Sequence, residues 1–207
     1  RRIVEKFHRA GIPLILLDRD LSAFPHRSTD DLVGIDNFAG GYLLAEHLLK
    51  LGARRLTFLT RPLSAATVQA RIAGARAALE AHGTEPDEPF VQVGDPGDLA
   101  FIRRAIPGRR VEAVICTNDL TAAQLMQSLA RLKIVVPRSL RVVGFDDVRY
   151  ATLLPVQLTT MQQPCREIAI AAFQAMRERI AEPALPPRSI LLTPRLIVRE
   201  SCGAYRK

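Results

Sequence analysis

Between residues 54 and 147 the sequence alternates strictly between two kinds of apolar pattern. Short β-branched or aliphatic runs stand at residues 56–59, 90–93, 111–116 and 140–145. Between them lie stretches with helical spacing at residues 67–82, 98–106 and 119–132. In the first, Ile72, Ala75 and Leu79 recur at i, i+3 and i+7. In the last, Ala122, Leu125, Leu129 and Leu132 share a face. Such βαβ alternation predicts an α/β fold with a parallel sheet and helices on both faces, because parallel neighbours need a crossover connection.

The flanking segments continue the pattern. Residues 13–17 and 32–35 read as strands, and Asp36-Asn37 offers an N-cap for a helix over 38–51 that Gly52 ends. After residue 147, residues 157–161 read as an extended connector. Pro164 opens a helix to residue 181, with Ile168, Ala172, Met176 and Ile180 on one side. Apolar runs at 190–192 and 196–198 follow.

Polar groups recur just past the strand ends: Asp18, Asp36, the 61–67 loop, Asp95, Asn118, Asp119, Asp146 and Asp147. Taken singly, each suits a helix cap or turn, and that reading is preferred for Asp36 and Asp119. Together they would line the crevice beyond the carboxyl ends of a parallel sheet, where such folds bind ligands. Val142-Val143-Gly144-Phe145 delivers Asp146 and Asp147 to that edge. Arg71 sits one turn inside its helix and faces back toward the strand ends. It is either a surface arginine or a neighbour of Asp146, whose pKa it would then lower.

Composition narrows the function classes. The net charge is +8, compatible with an acidic or nucleic-acid partner. The basic residues are dispersed in pairs, Arg54-Arg55, Arg103-Arg104 and Arg109-Arg110, with no stripe interleaved with aromatics, so they read as solvated surface. Three cysteines without metal-ligand spacing fit a reduced, cytosolic setting. No membrane span or secretory leader is visible, and no cofactor or metal is expected. Neither a G-x-S-x-G elbow nor a phosphate loop appears, and no histidine stands at a strand end. One enzyme reading stays open, a magnesium-dependent phosphoryl-transfer domain using Asp146 and Asp147.

In this order the motifs resemble the effector-binding region of the lactose-repressor/galactose-repressor family of bacterial transcription regulators. The resemblance rests on Gly11-Ile12-Pro13 through Asp18-Arg19, Val33-Gly34-Ile35-Asp36-Asn37, Gly40-Gly41, Glu46-His47-Leu48, Arg71-Ile72-Ala73-Gly74, Thr117-Asn118-Asp119, Val142 to Asp147, Leu158 to Pro164, and Pro194 to Ser201. It covers essentially the whole chain.

The resemblance implies a periplasmic-binding-protein-like fold of two α/β sandwich lobes joined by three crossing segments, with the first lobe incomplete. Residues 1–52 with 163–184 would form a partial N-terminal lobe, and residues 53–162 with 185–207 the C-terminal lobe. A small-molecule effector, a sugar or derivative, would bind between them without catalysis. The site carried over comprises Asp18, Ser64, Thr67, Arg71, Pro96, Asn118, Asp146 and Gln163. Pro96 stands where many members carry a stacking aromatic, and Lys133 where many place a helix-ending glycine. The family also implies a cytoplasmic homodimer with no membrane contact, and operator DNA bound through a headpiece absent from this chain. The chain thus reads as an N-terminally truncated piece. A periplasmic sugar receptor of the same fold is the rival reading.

Overall fold

The computed structural model of this chain describes residues 2–22, 24–63, 65–86, 88–106 and 110–205. In chain order the elements are α1 (Arg2–Arg9), β1 (Ile15–Leu17), β2 (Asp31–Ile35), α2 (Asn37–Lys50), β3 (Leu56–Thr60), α3 (Ala66–Ala81), β4 (Val91–Val93) and α4 (Leu99–Ala105). Then come β5 (Ala113–Cys116), α5 (Asp119–Arg131), β6 (Arg141–Asp146), β7 (Thr159–Gln162), α6 (Cys165–Ala181), β8 (Ser189–Leu192) and β9 (Arg195–Ile197). The expected connector at 157–161 is thus partly the sheet strand β7.

The strands form two sheets. One has six strands in the order β4-β3-β5-β6-β7-β9, parallel except for β9, which runs antiparallel to β7. The other has three parallel strands, β1-β2-β8. Successive residues of a strand point to opposite faces, and the large sheet shows it. Phe58, Ile115 and Val143 enter one core with Leu44, Leu48 and Ala75 of α2 and α3. Leu59, Val114 and Val142 enter the other with Ile102, Leu125 and Leu129 of α4 and α5. Both faces are covered, which is why these strands read as continuous apolar runs.

The small sheet carries α6 on its β1 and β2 strands. Buried Asp31 ties the parts together. Its carboxylate accepts from Arg179 Nε and Nη2 of α6, each at 3.0 Å, and from the Arg188 backbone N–H at 2.7 Å, just before β8.

Two of the expected lobe boundaries need correction. α2, assigned above to the first lobe, packs along α3 and against β5, β7 and β9 of the large sheet. β8, assigned above to the second lobe, pairs with β2 from Leu32↔Ser189 to Ile35↔Leu192. The α2–α3 packing depends on two glycines. A Cβ on Gly41 would overlap the Arg71 carbonyl, and one on Gly74 would overlap the Phe38 carbonyl. With no Cβ at either crossing point, the two backbones come into contact. The chain therefore passes between the sheets after Ile35, after Gln162 and after Leu192.

Candidate functional site

The carboxyl ends of β3, β5 and β6 open onto a cleft that also meets the end of β1. A cavity of about 710 Å³ lies there, and among its lining residues are Asp18, Thr67, Arg71, Asn118, Asp146 and Gln163. Six of the eight expected site residues therefore meet in one place. Ser64 lies outside the described residues. Pro96 does not line the cavity: it is buried beneath α5, where its carbonyl accepts from Ser128 Oγ at 2.7 Å. The loop after β4 thus turns toward the α4–α5 side, away from the cleft.

Arg71 is held rigidly and is no surface residue; only 5% of it is exposed. Nε donates to Asn37 Oδ1 at 2.8 Å and Nη1 to the Thr117 carbonyl at 2.7 Å. Its guanidinium carbon stands 3.5 Å from the centroid of the Phe145 ring, a cation–π stack. Phe145 in turn packs at Gly40, where a Cβ would come within 2.8 Å of the ring. So Gly40-Gly41 positions both the arginine's backbone and the ring beneath its side chain. Burial pulls the Arg71 pKa down to about 10, while Asp146 and Asp18 act to raise it. It stays charged at neutral pH.

Asp146 ends β6 with φ of 119°, and Asp147 follows with φ of 59°. Two consecutive non-glycine residues in this region make a strained turn. Gln163 Nε2 donates to Asp146 Oδ1 at 2.6 Å. The expected lowering of the Asp146 pKa is not found. Burial raises it and Asp18 adds to the rise, outweighing the Gln163 hydrogen bond and Arg71. Asp147 is used structurally: Arg199 Nη2 donates to one oxygen at 2.6 Å and Gln162 Nε2 to the other at 2.7 Å. Both Asp147 oxygens are thus engaged by donors of the protein. Among the described residues no cluster of three or more His, Cys, Asp or Glu could hold a metal.

The expected cap at Asp119 is off by one. Asn118 caps α5, its Oδ1 accepting from the Thr121 N–H at 2.9 Å, which leaves its amide NH₂ to donate. Asp119 is fully buried. It accepts from Thr160 Oγ1 at 2.5 Å and from the Val148 N–H at 2.9 Å. Burial raises its pKa to about 6, with Asp146 and Asp147 adding to the rise and the two hydrogen bonds opposing it. Gly144 makes room for this carboxylate, since a Cβ there would overlap Asp119 Oδ1.

From the small sheet, Asp18 has φ of 66° and its Oδ1 is buried without a hydrogen-bond partner among the described residues. A buried carboxylate oxygen of this kind calls for a donor. Arg61 spans the outer lip, Nη2 donating to Asp95 Oδ1 at 3.0 Å and to Gln124 Oε1 at 2.8 Å. Two supports of the site escaped the sequence reading, Asn37 and Phe145. Asn37 adjoins a recognised cap, and Phe145 lies in a core run like any other aromatic. The arrangement offers carboxylates, an amide and a fixed guanidinium to a polar ligand, and among the described residues no nucleophile with an adjacent base.

Residues 45–202 match the family model described as a periplasmic binding protein-like domain. The ribose operon repressor of Escherichia coli strain K12 is 28% identical over 205 residues, covering 97% of this chain and 60% of that protein. A transcriptional regulator CelR–cellobiose complex superposes with a TM-score of 0.84 at 27% identity, covering 96% of this chain and 61% of that one. A LacI family transcriptional regulator from Enterococcus faecium with bound ribose gives 0.81 at 25% identity, covering 96% and 74%. The chain spans about 60% of the length of the curated relative it matches.

Proposed function

The chain belongs to the family of periplasmic binding protein-like domains, as an effector-binding region of the lactose-repressor/galactose-repressor type, and from that membership we propose that it senses a small polar effector, a sugar or derivative, between its two sheets. One observation carries the reading: Asp18 from the small sheet and Arg71, Asn118 and Asp146 from the large one line a single cavity, with Gln163 at a crossing. Hydroxyl groups both donate and accept, and this set supplies partners for both. Ribose and cellobiose, which the two solved relatives hold, are examples of that chemistry.

Contacts from both sheets would favour the closed arrangement of the lobes about the three crossings, a shift of population toward the state the ligand binds better. In the whole protein that shift would change operator binding by a DNA-binding segment outside these residues, in a cytoplasmic homodimer. Neither catalysis nor a cofactor enters this reading.

Titration calorimetry with ribose and with cellobiose tests it, on the natural chain and on Asp146→Asn. Binding of either sugar, weakened at least tenfold in the variant, is the expected result. Equal affinity in the two proteins would remove the cleft from the reading.

A further inference from the structure

The arginine pairs that the sequence leaves as solvated surface converge when the chain folds. Arg54 and Arg55 lead into β3, Arg110 into β5, and Arg138 and Arg141 into β6. Leu56 stands opposite Ala113, and Ala113 opposite Arg141, so these segments lie side by side at the amino-terminal edge of the large sheet. At roughly 4.8 Å per strand, Arg141 is about 10 Å from the β3 row. The helices run back to the same edge. The last turns of α4 and α5 bring Arg103, Arg104 and Arg131, and Lys133 follows. Arg109 of the third pair lies outside the described residues.

The edge is unbalanced in charge. Against these nine cations the same segments hold one carboxylate, Glu112. It accepts from the Arg54 and Arg55 N–H groups and pairs with the Arg55 guanidinium at 2.7 Å. The surplus of eight equals the formal net charge of the whole chain, +8, so the rest of the molecule is neutral on balance. Among the described residues the other acids near this edge are Glu80, Glu85 and Glu88 toward β4, the last paired with Arg76, and Glu200, which shares a hollow with Arg138. Helix dipoles favour cations in the last turns of α4 and α5. They do not account for Arg54, Arg55, Arg110 and Arg138, which stand in the loops leading into the strands.

We propose that this edge is a sequence-independent contact for the phosphate backbone of duplex DNA. Eight of the nine cations are arginines, whose planar fork matches a phosphate. Among the described residues one exposed aromatic, Tyr205, lines a hollow beside Arg138. A single ring is no row of stacking platforms for a single strand, and it falls short of the aromatic cluster that anchors a protein partner. The edge lies opposite the ligand cleft, so the contact is independent of the effector reading.

The test is fluorescence anisotropy with a labelled duplex of arbitrary sequence, measured over a salt series. The variant is Arg54→Glu with Arg110→Glu and Arg138→Glu, whose side chains make no ion pair among the described residues. The control reverses Arg9, Arg166 and Arg177, which lie away from this edge. The natural chain should bind the duplex at low salt. In the variant the slope of log K against log salt should fall by about 3, one for each lost phosphate contact. Affinity should fall more than tenfold, and the control should keep its slope. Should the glutamate variant lose its far-UV circular dichroism, the corresponding glutamine variant replaces it. Three results would overturn the proposal: no duplex binding at low salt, equal losses in variant and control, or polyglutamate held as tightly as the duplex.

Discussion

Gly41 of α2 lies against Arg71 of α3 so closely that a Cβ on the glycine would stand 2.7 Å from the Arg71 Cα. The helix crossing and the ligand-facing arginine are therefore one structural element. Gly41→Ala must push the helices apart and carry Arg71 off its Phe145 ring. Overpacking of this kind costs about 1–3 kcal/mol. For a chain of this size that lowers the thermal midpoint by roughly 2–4 °C per kcal/mol. Sugar affinity should fall in the same variant, which calorimetry would show.

Arg71→Ala should impair folding as well as binding. It leaves Asn37 Oδ1 and the Thr117 carbonyl without their donor and bares the face of Phe145. A buried acceptor left unsatisfied costs about 1–3 kcal/mol. Urea denaturation should show a loss of at least that size. A variant as stable as the natural chain would mean that the arginine contributes nothing to the core.

Asp146→Asn is the cleaner probe of the cleft. It keeps the side chain's shape and an oxygen to accept from Gln163, and it removes the charge. Hydrogen bonds to charged groups are worth about 1.5–3 kcal/mol, so affinity should fall roughly ten- to a hundred-fold. Stability should hold or rise slightly, because burial disfavours this carboxylate.

Asp119 gives the stability a pH dependence. Its pKa is about 6 in the folded chain, raised by burial from an ordinary 3.8. Between those values the folded state binds more protons than the unfolded one, so stability falls as pH rises from about 4 to 6. The full shift corresponds to about 3 kcal/mol. Denaturant midpoints measured from pH 4.5 to 7.5 should show this decline, and Asp119→Asn should flatten it. A midpoint that rises steadily through that window in both proteins would contradict the assignment.

The periodic apolar residues and the helix stops made the order and type of most elements legible. What they could not show was partnership. The apolar face of α2 is plain in Leu44, Leu48 and Leu51, yet a helix face does not name the sheet it covers, and α2 went to the wrong lobe. The runs at 190–192 and 196–198 look alike, but β8 and β9 join different sheets. Arg71 had no apolar signature to mark it as buried, because its cost of burial is met by groups distant in sequence, Asn37, Thr117 and Phe145. Asp146 and Asn118 were found because a strand end fixes where they point. Pro96 came from resemblance alone, and the turn after β4 carries it elsewhere.

β9 reaches the large sheet only after the chain has left it at Gln162, built α6 and β8, and returned at Arg195, where Gln162 and Arg195 face each other. During synthesis the free edge of β7 must therefore wait for the segment that follows β8. Ser201, in that segment, donates to the Val142 carbonyl and accepts from the Thr159 N–H, closing the β6–β7 end from outside. Until it emerges from the ribosome, the six-stranded sheet lacks its final strand, and completion of the larger lobe is timed by the smaller one.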